Sequence, residues 1–91
     1  MGLTKDEFSA AIGDTVVAVR GTSGAVHATW TLAIDGTEQD SATAAGDFRL
    51  RGRLPDGSEV EASVHQSLVG PTRVVIVHEG NEILNGEGFV A

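Results

Sequence analysis

The sequence predicts a mainly β protein: an antiparallel meander of six to seven strands curled into a small barrel or sandwich, with one short N-terminal helix. Three observations carry this reading. Apolar residues alternate at period two, as in Val26, Ala28, Trp30, Leu32 and Ile34. Turn formers punctuate these runs at Asp35-Gly36, Pro55-Asp56-Gly57 and Gly80-Asn81. Finally, Phe48–Leu68 reads as a complete hairpin in which turn chemistry, apolar alternation and charge pairing select one register.

At the N-terminus, Thr4 as N-cap and Glu7 three residues on form a capping box, with Leu3 and Phe8 placed for a hydrophobic staple. Phe8 and Ile12 share a helical face and Gly13 suits the C′ position, so a helix is expected from about Lys5 to Ile12. So short a helix is marginal in water and must pack on the sheet. It would plug an open barrel end or cover one face; the alternative is a flatter, curled sheet with the helix lying across it.

Strands are expected from about residue 15 to residue 90. Thr15–Arg20 is rich in β-branched residues and breaks at Gly21-Thr22-Ser23-Gly24. Ala25–Ile34 alternates, with His27, Thr29 and Thr31 opposite the apolar face, and Asp35-Gly36 predicts a type I′ turn. Thr37–Ala45 lacks any large apolar residue and reads as an edge strand or an ordered loop.

In the hairpin, Phe48, Leu50, Gly52 and Leu54 share one face, with Arg49, Arg51 and Arg53 on the other. Its second strand sets Val60, Ala62, Val64 and Leu68 against Glu59, Glu61, Ser63 and His65. A type I turn with a glycine bulge at Gly57 pairs Leu54 with Ser58, Arg53 with Glu59, Gly52 with Val60 and Arg51 with Glu61. Val69-Gly70-Pro71 turns the chain into Arg73–His78, apolar on both faces as a central or doubly covered strand is. Gly80-Asn81 suits a type II′ turn into Glu82–Leu84, and a last segment runs to Val90. The 91 residues read as one domain, with no internal repeat or linker.

Thirteen acidic residues against six basic ones give a net charge of −7, which disfavours nucleic acid and anionic membranes as partners. Lys5 is the sole lysine against five arginines, a bias that fits a GC-rich genome or a salty cytoplasm. The chain has no cysteine, so disulfides and thiolate sites are excluded. Nothing reads as a signal peptide or a membrane span, and Asp6 stands where a myristoylation motif needs Ser or Thr, so a cytoplasmic location is expected.

The candidate binding residues are Arg49, Arg51, Arg53, Trp30, His65 and His78. The arginine row could serve as a guanidinium comb for phosphate or carboxylate, or be a solvated ladder neutralised by Glu59 and Glu61, the reading the register favours. His27, His65 and His78 lie on separate strands at no ligand spacing, so no metal site is expected. If the Gly70-Pro71 connection is a four-residue loop, His65 faces Ile76 and Ser63 faces His78. Trp30 fits a central core position, or the wall of a ligand-holding barrel mouth.

Catalytic constellations are absent. Gly21-Thr22-Ser23-Gly24 is not a nucleophile elbow, and Gly86-Glu87-Gly88 lacks the rest of a dinucleotide loop. The segment DGSEVEASVHQSLVGPTRVVIVHEGNEI, Asp56–Ile83, resembles hairpins in the small β domains of Fas apoptosis inhibitory molecule. Both place a strand, a histidine, a glycine-containing turn and a valine-rich strand in succession. The resemblance spans under a third of the chain and implies antiparallel hairpins, without an activity.

These readings lead to a non-catalytic module that needs no cofactor and binds a protein partner or its own copy, through the Thr37–Ala45 edge or the 48–68 hairpin. One alternative is a carrier barrel for a small apolar ligand, lined by Trp30. Another is a small enzyme using His65 or His78 as general base.

Overall fold

The computed structural model describes residues 5–22, 28–43, 46–66 and 72–88. They form eight strands: β1 (Lys5–Ile12), β2 (Thr15–Thr22), β3 (Thr29–Ile34), β4 (Thr37–Thr43), β5 (Asp47–Arg53), β6 (Glu59–His65), β7 (Thr72–His78) and β8 (Asn81–Gly88). Two antiparallel sheets, ordered β1-β2-β3-β4 and β5-β6-β7-β8, enclose one core. β4 lies beside β5 and β1 beside β8, but no ladder joins the sheets. The arrangement is thus a sandwich of eight strands, neither a closed barrel nor a meander of six or seven. Among the described residues no helix is long and apolar enough to cross a membrane.

The helix expected over Lys5–Ile12 is instead β1, paired with β2 from Lys5↔Thr22 to Ile12↔Thr15. Gly13 does take a positive φ, +60°, but as the first central residue of a Gly13-Asp14 hairpin turn rather than as a helix cap. The same residues carry a period-two pattern, with Phe8, Ala10 and Ile12 opposite Val19, Val17 and Thr15. Pairing with a β-branched neighbour satisfies backbone groups along the whole segment, whereas a two-turn helix gains little. Thr4 and Leu3 lie outside the described residues.

The hairpin forms in the expected register, Arg53↔Glu59 through Arg49↔Ser63. Leu54 N–H donates to Ser58 O at 2.8 Å, Gly57 N–H donates to Leu54 O at 2.9 Å, and Gly57 has φ +90°. Asp35 and Gly36, at φ 50° and 83°, make the expected type I′ turn. The turn expected at Gly80-Asn81 sits one residue earlier, at Glu79-Gly80, with φ 50° and 80°. This placement sets His78 opposite Asn81 and, past a bulge, Leu84 opposite Ile76 in the core. Thr37–Thr43 is an edge strand, and β7 is interior to its sheet. Val26, His27, Leu68, Gly70-Pro71 and Val90, for which the sequence also carries expectations, lie outside the described residues.

The two sheets repeat one another in topology, although the sequence carries no recognisable repeat. Each ends in a two-residue turn with both φ values positive, followed by a one-residue bulge, at Gln39 in β4 and at Ile83 in β8. The row Phe8, Val19, Leu32, Asp40 corresponds to Leu50, Ala62, Ile76, Leu84. The next row, Gly21, Trp30, Ala42, corresponds to Val64, Val74, Gly86. Few equivalent positions keep the same residue, among them Val17/Val60, Gly36/Gly80 and Glu38/Glu82, so the sequence hides the repeat.

Trp30 is the largest fully buried side chain. Its indole covers Gly21, where a Cβ would lie 2.5 Å from the ring. Phe8 stacks beside it, ring centroids 6.5 Å apart, and covers Gly86 in turn, where a Cβ would lie 3.2 Å from the ring. Such strand glycines mark close approach rather than flexibility.

Candidate functional site

β5 holds Arg49, Arg51 and Arg53 on the outer face of the second sheet, each about two-thirds exposed. Arg49 and Arg51 both reach Glu61, at 3.6 and 3.2 Å, and Arg53 reaches Glu59 at 3.5 Å. Farther across the face, Arg73 donates to Glu87 at 2.8 Å and to Asn85 at 2.9 Å. Arg73 was missed as a site residue because its partners depend on the β7–β8 register. Exposed pairs of this kind contribute about 0.2–1 kcal/mol each.

His65 lies at one end of this face, with its Nδ1 2.5 Å from Asp47 Oδ1. His78 lies at the other end of the sheet and on its opposite, core-facing side, across from buried Val60. The structure pairs His65 with Arg73 and His78 with Val60, not with Ile76 and Ser63. The pairing closes at His65↔Arg73, leaving seven residues, 66–72, between the paired ones instead of the four, 69–72, that the other register needs. Among the described residues, no group of three or more His, Cys, Asp or Glu side chains could hold a metal ion.

His78, half-buried, places Nε2 2.9 Å from Ser58 Oγ and 3.5 Å from Glu79 Oε1. Ser58 Oγ is 2.6 Å from Asp56 Oδ1, which also accepts the Ser58 N–H at 2.9 Å. The Ser58 hydroxyl, and then its N–H, hold the Asp56 carboxyl below the usual carboxylate range. An ionised Asp56 only accepts, so the hydroxyl proton points to it, and Ser58 Oγ accepts from His78 Nε2–H. A nucleophilic serine needs the reverse, with its proton on the imidazole. The network ties the Leu54–Ser58 loop to the β7–β8 turn.

Trp30 is enclosed in the core. Its Nε1 donates to Gln66 Oε1 at 3.2 Å, and Gln66 Nε2 donates to Gly46 O at 3.2 Å, joining the two halves of the chain. The β4 edge is also engaged. The bulge at Gln39 brings Asp40 to the core-facing row, where Oδ2 accepts the Arg51 N–H of β5 at 3.0 Å. An inward carboxylate on an edge strand discourages strand addition there.

The outer face of the first sheet differs. Val16, Ala18 and Arg20 of β2, Thr31 and Ala33 of β3 and Glu38 of β4 line a shallow trough, with Glu7 at its rim. Val16, 48 % exposed, is the exposed large hydrophobic residue among those described. Arg20 pairs with Glu7 at 2.7 Å, and among the described residues Glu38 forms no ion pair. Sequence reading missed this face because its small residues carry no motif.

No protein-family model matches the chain, and no curated protein or solved structure matches it significantly. The likeness of Asp56–Ile83 to hairpins of Fas apoptosis inhibitory molecule rests on strand patterning alone.

Proposed function

We propose that the protein is a non-catalytic interaction module that binds a protein surface through the outer face of its first sheet. One observation carries this reading: exposed Val16 adjoins a centre of Ala18, Thr31 and Ala33 that bears no charge. Covering that centre gains roughly 25 cal/mol per Å² of apolar surface.

The surfaces favoured by the sequence have less support. On the 48–68 hairpin the arginines already meet Glu59 and Glu61, and the middle of the β4 edge meets β5 through Asp40. The carrier reading has an enclosed Trp30 against it, and the general-base reading of His78 has the proton order at Ser58. The net charge of −7 supports a protein rather than a nucleic acid or membrane partner.

A photo-crosslinking amino acid placed at Ala33, and separately at Ser63 on the outer face of the other sheet, tests the reading in cells that make the protein. A discrete adduct from position 33 and none from 63 is expected. Equal labelling from both positions, or none from position 33, would overturn it.

A further inference from the structure

We infer that the partner is a second copy of this chain, docked face to face about a two-fold axis over Thr31 and Ala33; this rests on the reading of that face as an interaction surface. The strand register supplies the argument. Arg20 lies opposite Thr31 and Glu38 lies opposite Ala33, so the two charges flank β3 from β2 and β4. An axis in the face, midway between them and perpendicular to the line that joins them, exchanges their positions.

Each Arg20 then meets the Glu38 of the other copy, and both contacts form at once, as an isologous interface requires. Thr31 and Ala33 meet their own counterparts, and their short side chains let two sheets approach to about 10 Å. Arg20 can hold Glu7 and a second carboxylate together, because a guanidinium carries five N–H donors. Glu38, which forms no ion pair among the described residues, gains one.

Strand spacing and rise give the four-stranded face about 500 Å² per copy. That is the small end for a specific interface, so a weak, concentration-dependent dimer is expected. At physiological salt the Debye length of about 8 Å screens most of the repulsion between two −7 copies but not charges in contact.

Sedimentation velocity over a concentration series, with the full chain at physiological salt, tests this through charge reversal. Wild type should dimerise reversibly. Arg20→Glu and Glu38→Arg should each weaken self-association about tenfold or more, because each sets like charges together twice. Their equimolar mixture should regain near wild-type affinity, since the mixed pair restores an opposite charge at both contacts. Ala33→Arg should stay monomeric in every mixture.

A monomeric wild type at the highest concentration, variants that dimerise as wild type does, or a mixture no better than its parts would each overturn the dimer. If wild type is monomeric while the crosslinker at position 33 captures a different polypeptide, the second copy is wrong and the interaction face stands. Glu38→Arg breaks no ion pair within the described chain, so its loss of association remains readable if Arg20→Glu folds poorly.

Discussion

In the first sheet, the cross-strand slot between β2 and β3 is filled by Gly21 and Trp30; in the second, the equivalent slot is filled by Val64 and Val74. One solution sets a large side chain over a bare backbone, and the other sets two medium side chains side by side. At the bulged edges, Asp40 of the first sheet corresponds to Leu84 of the second. Asp40 uses the position for a hydrogen bond to β5, whereas Leu84 packs on the core. The outer faces diverge as well, one with a centre of small uncharged residues, the other laced with Arg–Glu pairs. Strand register decides where volume and charge must be placed; it does not decide which residue types supply them.

The largest effect expected is at Trp30. Trp30→Ala should cost about 3–5 kcal/mol in urea unfolding, and Val74→Ala at the equivalent slot about 2 kcal/mol. Equal costs would mean that the two slots are not filled in different ways. Next comes Gly21→Val, which drives a side chain into the indole and should cost about 1–3 kcal/mol or more. The double variant Gly21→Val with Trp30→Val imports the second sheet's solution, and it should be more stable than the sum of the two single changes implies. Strict additivity would show that the slots are not interchangeable.

Asp40→Ala should cost about 1 kcal/mol, since the Arg51 N–H loses its acceptor at the seam. Smaller still, a double-mutant cycle on Arg51 and Glu61 should return a few tenths of a kcal/mol that shrink with added salt. A coupling above about 1 kcal/mol would mark the ladder as more than a solvated face.

The last effect is read as a pH slope. The folded state holds the Asp56 carboxyl below its usual range, so its contribution is complete above the unfolded value of about 3.9 and is lost as pH falls through the folded value. Asp56→Ala should flatten the acid limb of the thermal midpoint against pH. Identical limbs for wild type and Asp56→Ala would show that the loop network does not couple to folding.

Much of the second sheet was legible because its signals are local. Pro55-Asp56-Gly57 fixes the loop, and the loop fixes every pair from Leu54 and Ser58 back to Arg49 and Ser63. β1 was not legible as a strand, because Thr4, Glu7 and Gly13 satisfy a helix start and stop while Phe8, Ala10 and Ile12 satisfy a strand. Two periodicities fit one short segment, and only the β2 partner chooses between them. The turn at Glu79-Gly80 was displaced by one residue because the phase of β8 is set by Ile76 across the ladder, not by the turn dipeptide.

By itself the sequence determined the β class, the two strong hairpin turns, the register of β5 with β6 and the burial of Trp30. Each of these follows from backbone preferences and alternation over a few neighbouring residues. Only the tertiary structure decided that the strands divide into two matching sheets. It also set Asp40 against the β5 backbone, placed His78 on Ser58 rather than beside His65, and left Val16 exposed beside Ala18 and Ala33. These features join residues distant in sequence, and what brings them together is the shared core, which no local pattern encodes.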